Sequence, residues 1–311
     1  MTFSSRNSIR LTLLFLILLY FLSCLSIAAA AENKVIFNQL DGVGDDYGPG
    51  KYQYPRNHIF QNKGHLFDIK SLTILESADN FLFQINFSKL TDPWQGEFAF
   101  SLPLIEIYLD NQPGGTNKLF HTGANVTLPA DFNWNKFLKI SGWWVRIFSP
   151  DSQKENLMDI SKLSFIDPYS AEDVNLIRNG NQLNLTIPKT ELKSLDNSKL
   201  ILLVGSFDPF GYDHFRSLAP VQRSWQIYTG GELKVEKAPR VMDILLPESL
   251  NQKAILNKEM PVVPYLKIKP TFQLKADKLI DFFAYQNLLV LFLLLIYLIL
   301  MTIIFLKYSS K

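Results

Sequence analysis

The sequence predicts an all-β protein, with a single β-sandwich of the jelly-roll or immunoglobulin-like sort as an ectodomain and one C-terminal transmembrane helix. Two observations predict the sandwich. Short segments rich in β-branched and aromatic residues recur through residues 32–246, and glycine- or asparagine-containing turns separate them. A third observation, the pair of long apolar runs at the two ends of the chain, predicts export and anchoring.

The first apolar run has the features of a secretory signal peptide. Residues 1–31 begin with Arg6 and Arg10, continue with an uncharged apolar stretch and end in four consecutive alanines. An uncleaved signal anchor is the alternative, and it would also leave residues 32–281 outside the membrane. The four alanines favour cleavage, because signal peptidase sites contain small residues.

The second apolar run is long enough to span a bilayer. Residues 282–306 are uncharged, and about 20 helical residues suffice to cross roughly 30 Å of hydrocarbon. Lys307 and Lys311 follow this run, so the positive-inside rule places the tail, residues 307–311, in the cytoplasm. A buried core helix is the alternative, but the length and the terminal position argue against it. We therefore expect a single-pass protein of the cell membrane with an extracytoplasmic domain.

The charge balance and the cysteine content narrow the class of partner. Without the four basic residues near the termini, the exported part keeps 27 of the 31 basic residues against 29 acidic ones, a formal charge of −2. This near-balance offers no electrostatic footprint for nucleic-acid binding, which relies on a basic surface. Cys24 is the only cysteine and lies in the predicted signal peptide, so the exported part has no internal disulfide. Its stability must come from core burial or from bound ions.

Strands dominate the exported part. Residues 189–195 form the one predicted helical turn, and residues 247–281 are predicted to be a semi-extended stalk because prolines divide them into short segments. In residues 81–87 every odd position is apolar, as in a half-buried strand. The predicted strands cover residues 35–37, 66–75, 81–87, 98–109, 137–148, 182–187 and 200–207.

A carboxylate-rich loop follows the first predicted strand. Asp41, Asp45 and Asp46 lie among four glycines in residues 41–50. Hard cations such as calcium prefer several oxygen ligands in a loop that can wrap around them. The spacing does not match an EF-hand, and a solvated Gly/Asp turn is the alternative interpretation.

A series of motifs follows from this loop onward: Gly44-Asp45-Asp46-Tyr47-Gly48-Pro49-Gly50, Phe67-Asp68-Ile69, Asp92-Pro93-Trp94, Ile107-Tyr108-Leu109-Asp110, Ser141-Gly142-Trp143, Arg216-Ser217-Leu218 and Val241-Met242-Asp243-Ile244-Leu245. The series resembles the C-terminal module of bacterial glucodextranases, and its first motif resembles the opening of that module. The resemblance spans roughly residues 37–256 and implies a β-sandwich related to family 9 carbohydrate-binding modules and the DOMON group, with a sugar-binding or cell-surface role. Here the module has no catalytic domain beside it.

The resemblance also implies a structural calcium ion, because related sandwich modules carry one. Asp45, Asp46 and Asp68 are the favoured ligands, and Asp41 and Asp110 are second choices. Such an ion would clamp a loop in a domain that lacks disulfides.

Aromatic side chains are the candidates for sugar binding, because flat rings stack on the apolar faces of a pyranose. Trp143 and Trp144 are adjacent in a predicted strand, so we expect them to point to opposite faces. The loop at residues 207–216 mixes aromatic and charged groups, with a packed turn as its alternative role, and core packing is the alternative for each tryptophan. The predicted ligand-binding residues are Trp94, Trp143, Tyr212, Asp213 and Arg216.

No catalytic motif is present. The sequence has no Gly-x-Ser-x-Gly elbow, no His-Glu-x-x-His and no phosphate-binding glycine loop. We therefore expect a non-catalytic module that binds an α-glucan or a cell-wall polysaccharide. The alternative is a structural domain that binds an envelope protein and no sugar.

Overall fold

The computed structural model describes residues 33–61, 63–120, 122–150 and 174–269. All of them belong to one compact unit that ends at Lys269. The predicted signal peptide, the predicted transmembrane helix and the cytoplasmic tail lie outside the described residues. Within the described part of the chain, no helix combines the length and the apolar content that a membrane span requires.

The described residues are mostly β, with several antiparallel sheets, which confirms the predicted class. The helices are short: α1 (Lys189–Leu192), α2 (Gln252–Leu256) and the 3₁₀ turns η1 (Thr122–Ala124) and η2 (Tyr212–His214). In chain order the strands are β1 (Lys34–Leu40), β2 (Ile69–Glu76), β3 (Asn80–Phe87), β4 (Pro103–Asp110), β5 (Lys136–Ile140), β6 (Val145–Phe148), β7 (Asn175–Asn179), β8 (Gln182–Pro188), β9 (Lys199–Ser206), β10 (Leu218–Ala219), β11 (Ile227–Tyr228), β12 (Val241–Ile244) and β13 (Leu266–Lys267).

The first sheet has five antiparallel strands in the spatial order β1-β2-β3-β8-β7. Its strands alternate as the sequence predicts: in β3, Phe81, Phe83, Ile85 and Phe87 are buried, and the residues between them are half-buried. The alternation gives the sheet one apolar face and one polar face.

The second sheet is buried on both faces. Its strands follow the order β12-β9-β4-β5-β6, and β13 pairs with β9. Ile105 and Leu202 point into a hydrophobic cluster that also contains the inward residues of the first sheet. On the other face, Tyr108 and Phe137 join a second cluster around Trp134. Burial on both faces explains why the sequence around β4 is a nearly continuous apolar run.

One predicted strand, residues 137–148, is two strands in the structure. β5 and β6 form an antiparallel hairpin, and a hydrogen bond from the Ser141 amide to the Trp144 carbonyl closes its turn. At Gly142 a Cβ atom would lie 1.7 Å from the carbonyl oxygen of Phe100, so only glycine fits this close approach. The prediction that Trp143 and Trp144 lie in a strand and point to opposite faces is therefore wrong.

The predicted stalk begins at residue 247, but residues 247–269 fold back onto the domain. In this segment α2 buries Leu256, and β13 pairs Leu266 with Leu200 of β9. Its prolines space short elements that pack individually. The described part of the predicted stalk is thus part of the compact unit.

Candidate functional site

Five aspartates from separate parts of the chain come together beside the start of β2. Asp41 directly follows β1, and Asp45 and Asp46 lie in the glycine-rich loop after it. Asp68 directly precedes β2, and Asp243 lies in β12 of the second sheet. We call these five residues the carboxylate cluster.

Side-chain atoms of the cluster, together with those of His65, form two groups, in each of which the candidate ligand atoms lie within 4.8 Å of one another. This spacing suits coordination of one cation per group. The first group is Asp46, His65 and Asp68, and the second is Asp41, Asp45 and Asp243.

Hydrogen bonds from backbone amides hold the carboxylates in place. The Phe67 amide donates to Asp46 Oδ2 over 3.0 Å, and the Tyr54 hydroxyl donates to the same oxygen. The Gly44 amide donates to Asp68 Oδ1 over 2.7 Å. The loop and the start of β2 are therefore fixed to each other through their carboxylates.

The second sheet is held to the first in the same way. The Ile69 amide of β2 donates to Asp243 Oδ2 over 2.6 Å. The Leu246 amide, just after β12, donates to Asp41 Oδ1 over 2.9 Å. Each sheet thus supplies a carboxylate that accepts a hydrogen bond from the other sheet or its connection.

Three oxygens of the cluster are buried and accept no hydrogen bond within the described structure. They are Asp41 Oδ2, Asp45 Oδ1 and Asp46 Oδ1. Asp46 is fully buried and Asp41 is 7% exposed. A buried carboxylate oxygen without a donor is costly, and several converging oxygens are the ligands that a hard cation prefers. The residues present therefore fit a calcium-type ion.

The raised pKa values of the aspartates in the cluster also favour a bound cation. Burial raises the pKa of Asp41 to about 8, and the nearby Asp45 and Asp68 add to this rise. Burial and Asp68 raise the pKa of Asp45 to about 6. Burial also raises the pKa of Asp46 and of Asp243.

Compensating positive charge is scarce around the cluster. His65 Nδ1 lies 3.4 Å from Asp46 Oδ1, and no described lysine or arginine forms an ion pair with any of the five aspartates. The side chains of the described residues thus leave most of this negative charge unneutralised.

The structure brings the three predicted metal ligands together, although in two groups. Asp46 and Asp68 share one, and Asp45 belongs to the other. Of the second choices, Asp41 lies in the cluster, whereas Asp110 pairs with a lysine elsewhere in the fold. Sequence reasoning missed Asp243, although an aspartate inside an apolar strand was a usable signal. It also missed His65, for which the sequence offers no local signal.

An open cleft of about 350 Å³ lies next to the cluster. Tyr47 and Tyr54 contribute stacked rings with centroids 5.5 Å apart, and Phe60 also lines the cleft. Polar lining groups include the exposed Arg56 and Gln61. Rings beside amide and guanidinium groups can stack on a sugar and bind its hydroxyls.

Tyr54 joins the cleft to the carboxylate cluster. Its ring stacks on Tyr47 in the cleft, and its hydroxyl donates to Asp46 in the cluster. Its backbone oxygen accepts a 2.7 Å hydrogen bond from Gln222, another lining residue. Anything that orders the cluster therefore also orders the wall of the cleft.

Three of the predicted ligand-binding residues lie behind the cleft rather than in it. The guanidinium of Arg216, which is 2% exposed, lies 5.0 Å from the ring centroid of Phe60 and 5.5 Å from that of Trp94. Trp94 stacks on Trp143 with centroids 6.5 Å apart, and both are half-buried. Phe60 lines the cleft and contacts this layer, so Trp94, Trp143 and Arg216 support the cleft from within.

The other two predicted residues lie in η2. Asp213 is 3% exposed, and its carbonyl oxygen accepts a 2.7 Å hydrogen bond from the ammonium of the buried Lys139. Tyr212 is 48% exposed. Of these two, only Tyr212 is exposed to a ligand, and its binding role stays a prediction.

Comparison with known proteins identifies one family. A family model described as the C-terminal, SLH-like binding module of glucodextranase matches residues 36–264, which is more than half of the chain. No curated protein matches the chain.

Proposed function

The chain belongs to the family of SLH-like C-terminal binding modules of glucodextranase, and from that membership we propose that it is a non-catalytic carbohydrate-binding module. Its ligand is an α-glucan or a cell-wall polysaccharide. The family description names a binding module and no catalytic domain, which supports a role without catalysis. The cleft beside the carboxylate cluster is the observation that carries the proposal.

Stacked tyrosines beside exposed polar groups suit a pyranose. The rings of Tyr47 and Tyr54 offer apolar surface to the C–H face of a sugar. Arg56, Gln53 and Gln61 are exposed at the same cleft and carry the donors and acceptors that hydroxyls need.

The proposal includes a single β-sandwich anchored in the cell membrane. The hydrophobic cluster that both sheets share supports the sandwich. The apolar run at residues 282–306 and the basic residues after it support an extracytoplasmic domain with a cytoplasmic C-terminus.

The proposal also includes calcium as a structural ion. The two groups would supply oxygen ligands for calcium, Asp41, Asp45 and Asp243 in one and Asp46 and Asp68 in the other, and the unpartnered buried oxygens support this assignment. The ion would neutralise the crowded carboxylates and hold the loop that carries Tyr47.

Binding of a polysaccharide panel to the full-length chain, purified in mild detergent, tests the sugar-binding role. Tyr47→Ala should weaken binding about ten-fold, because loss of a stacking ring usually costs on the order of 1 to 2 kcal/mol. Tyr47→Phe keeps the ring and should bind nearly as well as the wild type. Unchanged melting curves would separate a lost contact from a damaged fold.

Two other results would redirect the proposal. If Tyr212→Ala weakens binding and Tyr47→Ala does not, the site lies on the η2 loop. If the wild-type chain binds no α-glucan, peptidoglycan or secondary wall polymer, the sugar-binding function is wrong and an envelope-assembly role replaces it.

A protease experiment tests the location of the domain. On intact cells that express the chain, external protease should abolish binding of a labelled polysaccharide, since the domain is proposed to lie outside.

A further inference from the structure

The outer face of the first sheet has an unusual composition. Three side chains from each of its five strands point away from the core, and the strand register aligns these fifteen into three rows. Most of these side chains are carboxamides or hydroxyls, and the rest are aliphatic. The rows are Val35, Leu75, Leu82, Thr186, Asn175; Asn38, Thr73, Gln84, Asn184, Ile177; and Leu40, Ser71, Asn86, Gln182, Asn179. We call this surface the amide face.

No residue of the amide face is ionisable, although charged residues make up 19% of the chain. A sheet face that only meets water usually carries charged side chains, which favour solubility. The face also lacks aromatic residues, methionine and arginine, which are the residues enriched at protein–protein interfaces. Its composition therefore fits neither an ordinary solvated face nor a typical protein-binding face.

The polar groups of the face form an ordered lattice with spare hydrogen-bonding capacity. The Thr73 hydroxyl donates to Asn38 Oδ1 over 2.8 Å, and Gln84 Nε2 donates to Asn184 Oδ1 over 3.1 Å. These bonds leave at least one polar atom of each carboxamide available. The side-chain amide of Gln182 makes no hydrogen bond to any described residue.

One end of the face is concave. A cavity of about 470 Å³ is lined there by Ser71, Asn86, Asn179 and Gln182 of the third row. Lys70 is the one ionisable residue in the described lining. A concave floor of carboxamides and hydroxyls can surround a ligand, whereas a flat face meets it from one side only.

We propose that the amide face, with its concave end, binds a chain of an uncharged polysaccharide. Carboxamides both donate and accept, as sugar hydroxyls do, so the two surfaces are complementary in hydrogen bonding. The aliphatic strip of Val35, Leu75 and Leu82 suits the C–H faces of the sugar rings. An acidic polymer would require several cationic partners, and Lys70 is the one basic residue in the described lining of the concave end.

This inference rests on the proposed sugar-binding function, and the amide face shares no residue with the tyrosine cleft. Its test uses binding of a neutral soluble glucan and of polygalacturonate to the full-length chain in detergent. The variant Asn179→Asp/Gln182→Glu keeps the shape of the face but replaces two carboxamides by carboxylates. It should bind the neutral glucan about ten-fold more weakly, because two amide donors are lost and a bound neutral sugar would desolvate the added carboxylates. The matched control, Gln112→Glu/Asn117→Asp, makes the same two changes in the turn after β4 and should bind like the wild type.

Hydrogen exchange on the wild-type chain gives a readout that does not depend on the variant's folding. The neutral glucan should slow exchange in peptides covering β7 and β8. The inference is overturned if Asn179→Asp/Gln182→Glu binds the neutral glucan as the wild type does, or if β7 and β8 gain no protection. The proposed function of the cleft would survive either result, provided that Tyr47→Ala still weakens binding. Preference for polygalacturonate would overturn the inference alone, and a wild-type chain that binds no polysaccharide would overturn both.

Discussion

At the scale of single residues, His214 in η2 has a half-buried imidazole. Its pKa is lowered to about 4 by burial first, and then by the positive charges of Lys139 and Arg146. Asp208 opposes this shift only in part. Its Nδ1 atom is buried and has no hydrogen-bond partner in the described structure. The folded protein therefore holds this ring neutral at pH values where the unfolded chain would protonate it.

This difference predicts a loss of stability in mild acid. Between pH 6.5 and 4 the unfolded state binds a proton at His214 that the folded state does not, so the free energy of unfolding falls as the pH falls. The contribution is fully present above pH 6.5. His214→Asn removes the titration and tolerates the positive φ of 63° at this position.

Denaturant unfolding of wild type and His214→Asn at pH 7 and pH 4 measures the effect. The advantage of the wild type over the variant should shrink by about 2 kcal/mol on acidification, less than the full pKa shift implies because part of the ring reaches solvent. Comparing the two proteins cancels the titration of the carboxylate cluster. A difference that stays constant with pH would contradict the lowered pKa.

Single residues also show which parts of the site could be predicted from the sequence and which could not. Asp45 and Asp46 could be found because the chemistry of their loop is local: carboxylates among glycines. Asp243 stands out as an aspartate in an apolar segment, but the sequence does not assign it to this site, because its neighbours in the cluster are about 200 positions away along the chain. Trp143 was misplaced because Ser141 and Gly142, which form the turn, interrupt an otherwise strand-like run.

At the scale of elements, strand existence could be predicted better than strand boundaries. The alternation of β3 and β8 was strong, because one face of each is buried and the other is not. β12 and β13 are too short to give a periodic signal, and they form through pairing with β9. The segment after residue 246 looked like a stalk for a similar reason: prolines divide its apolar residues into short groups, and only the fold shows which of them are buried.

That segment gives an element-scale prediction. Leu256, Val263, Leu266 and Ile268 are buried against the domain. Gln252 Nε2 donates a 2.6 Å hydrogen bond to the Asp45 carbonyl, so α2 also holds the cluster loop. A chain that ends at residue 246 should lose several kcal/mol of stability, since each buried aliphatic side chain contributes about 1.5–3 kcal/mol.

Circular dichroism melting curves of chains that end at residues 246 and 269 test this boundary. The chain ending at 269 should melt cooperatively, because it keeps α2 and β13, and the chain ending at 246 should melt far lower or without cooperativity. Equal melting midpoints would show that residues 247–269 add nothing to the fold and would restore the stalk boundary predicted from the sequence.

At the scale of the whole molecule, the carboxylate cluster is where the two sheets meet without a covalent link. Asp41 and Asp68 flank strands of the first sheet, and Asp243 belongs to the second. The lone cysteine rules out an internal disulfide. An ion held by carboxylates from both sheets would therefore act as the cross-link between them, stabilising the folded state by mass action because the unfolded chain lacks the site.

Calcium should then raise the stability of the full-length chain, and chelation should lower it. A free ion concentration about 100-fold above the dissociation constant gives about 2.7 kcal/mol of stabilisation, which for a domain of this size raises the melting midpoint by roughly 5–10 °C.

The variant Asp41→Asn distinguishes a metal site from an ordinary hydrogen-bonded cluster. In calcium this variant should be less stable than the wild type, because a ligand is weakened. In chelator it should be more stable, because crowded buried carboxylates repel one another. Asp110→Asn, which removes a carboxylate outside the cluster, should keep the full response to chelator. Melting curves of the three proteins, with metal content measured beforehand, decide the question. If wild-type protein shown to be metal-free melts at the same temperature with and without added calcium, the cluster is not a calcium site, and the two sheets are held together by their shared core and hydrogen bonds alone.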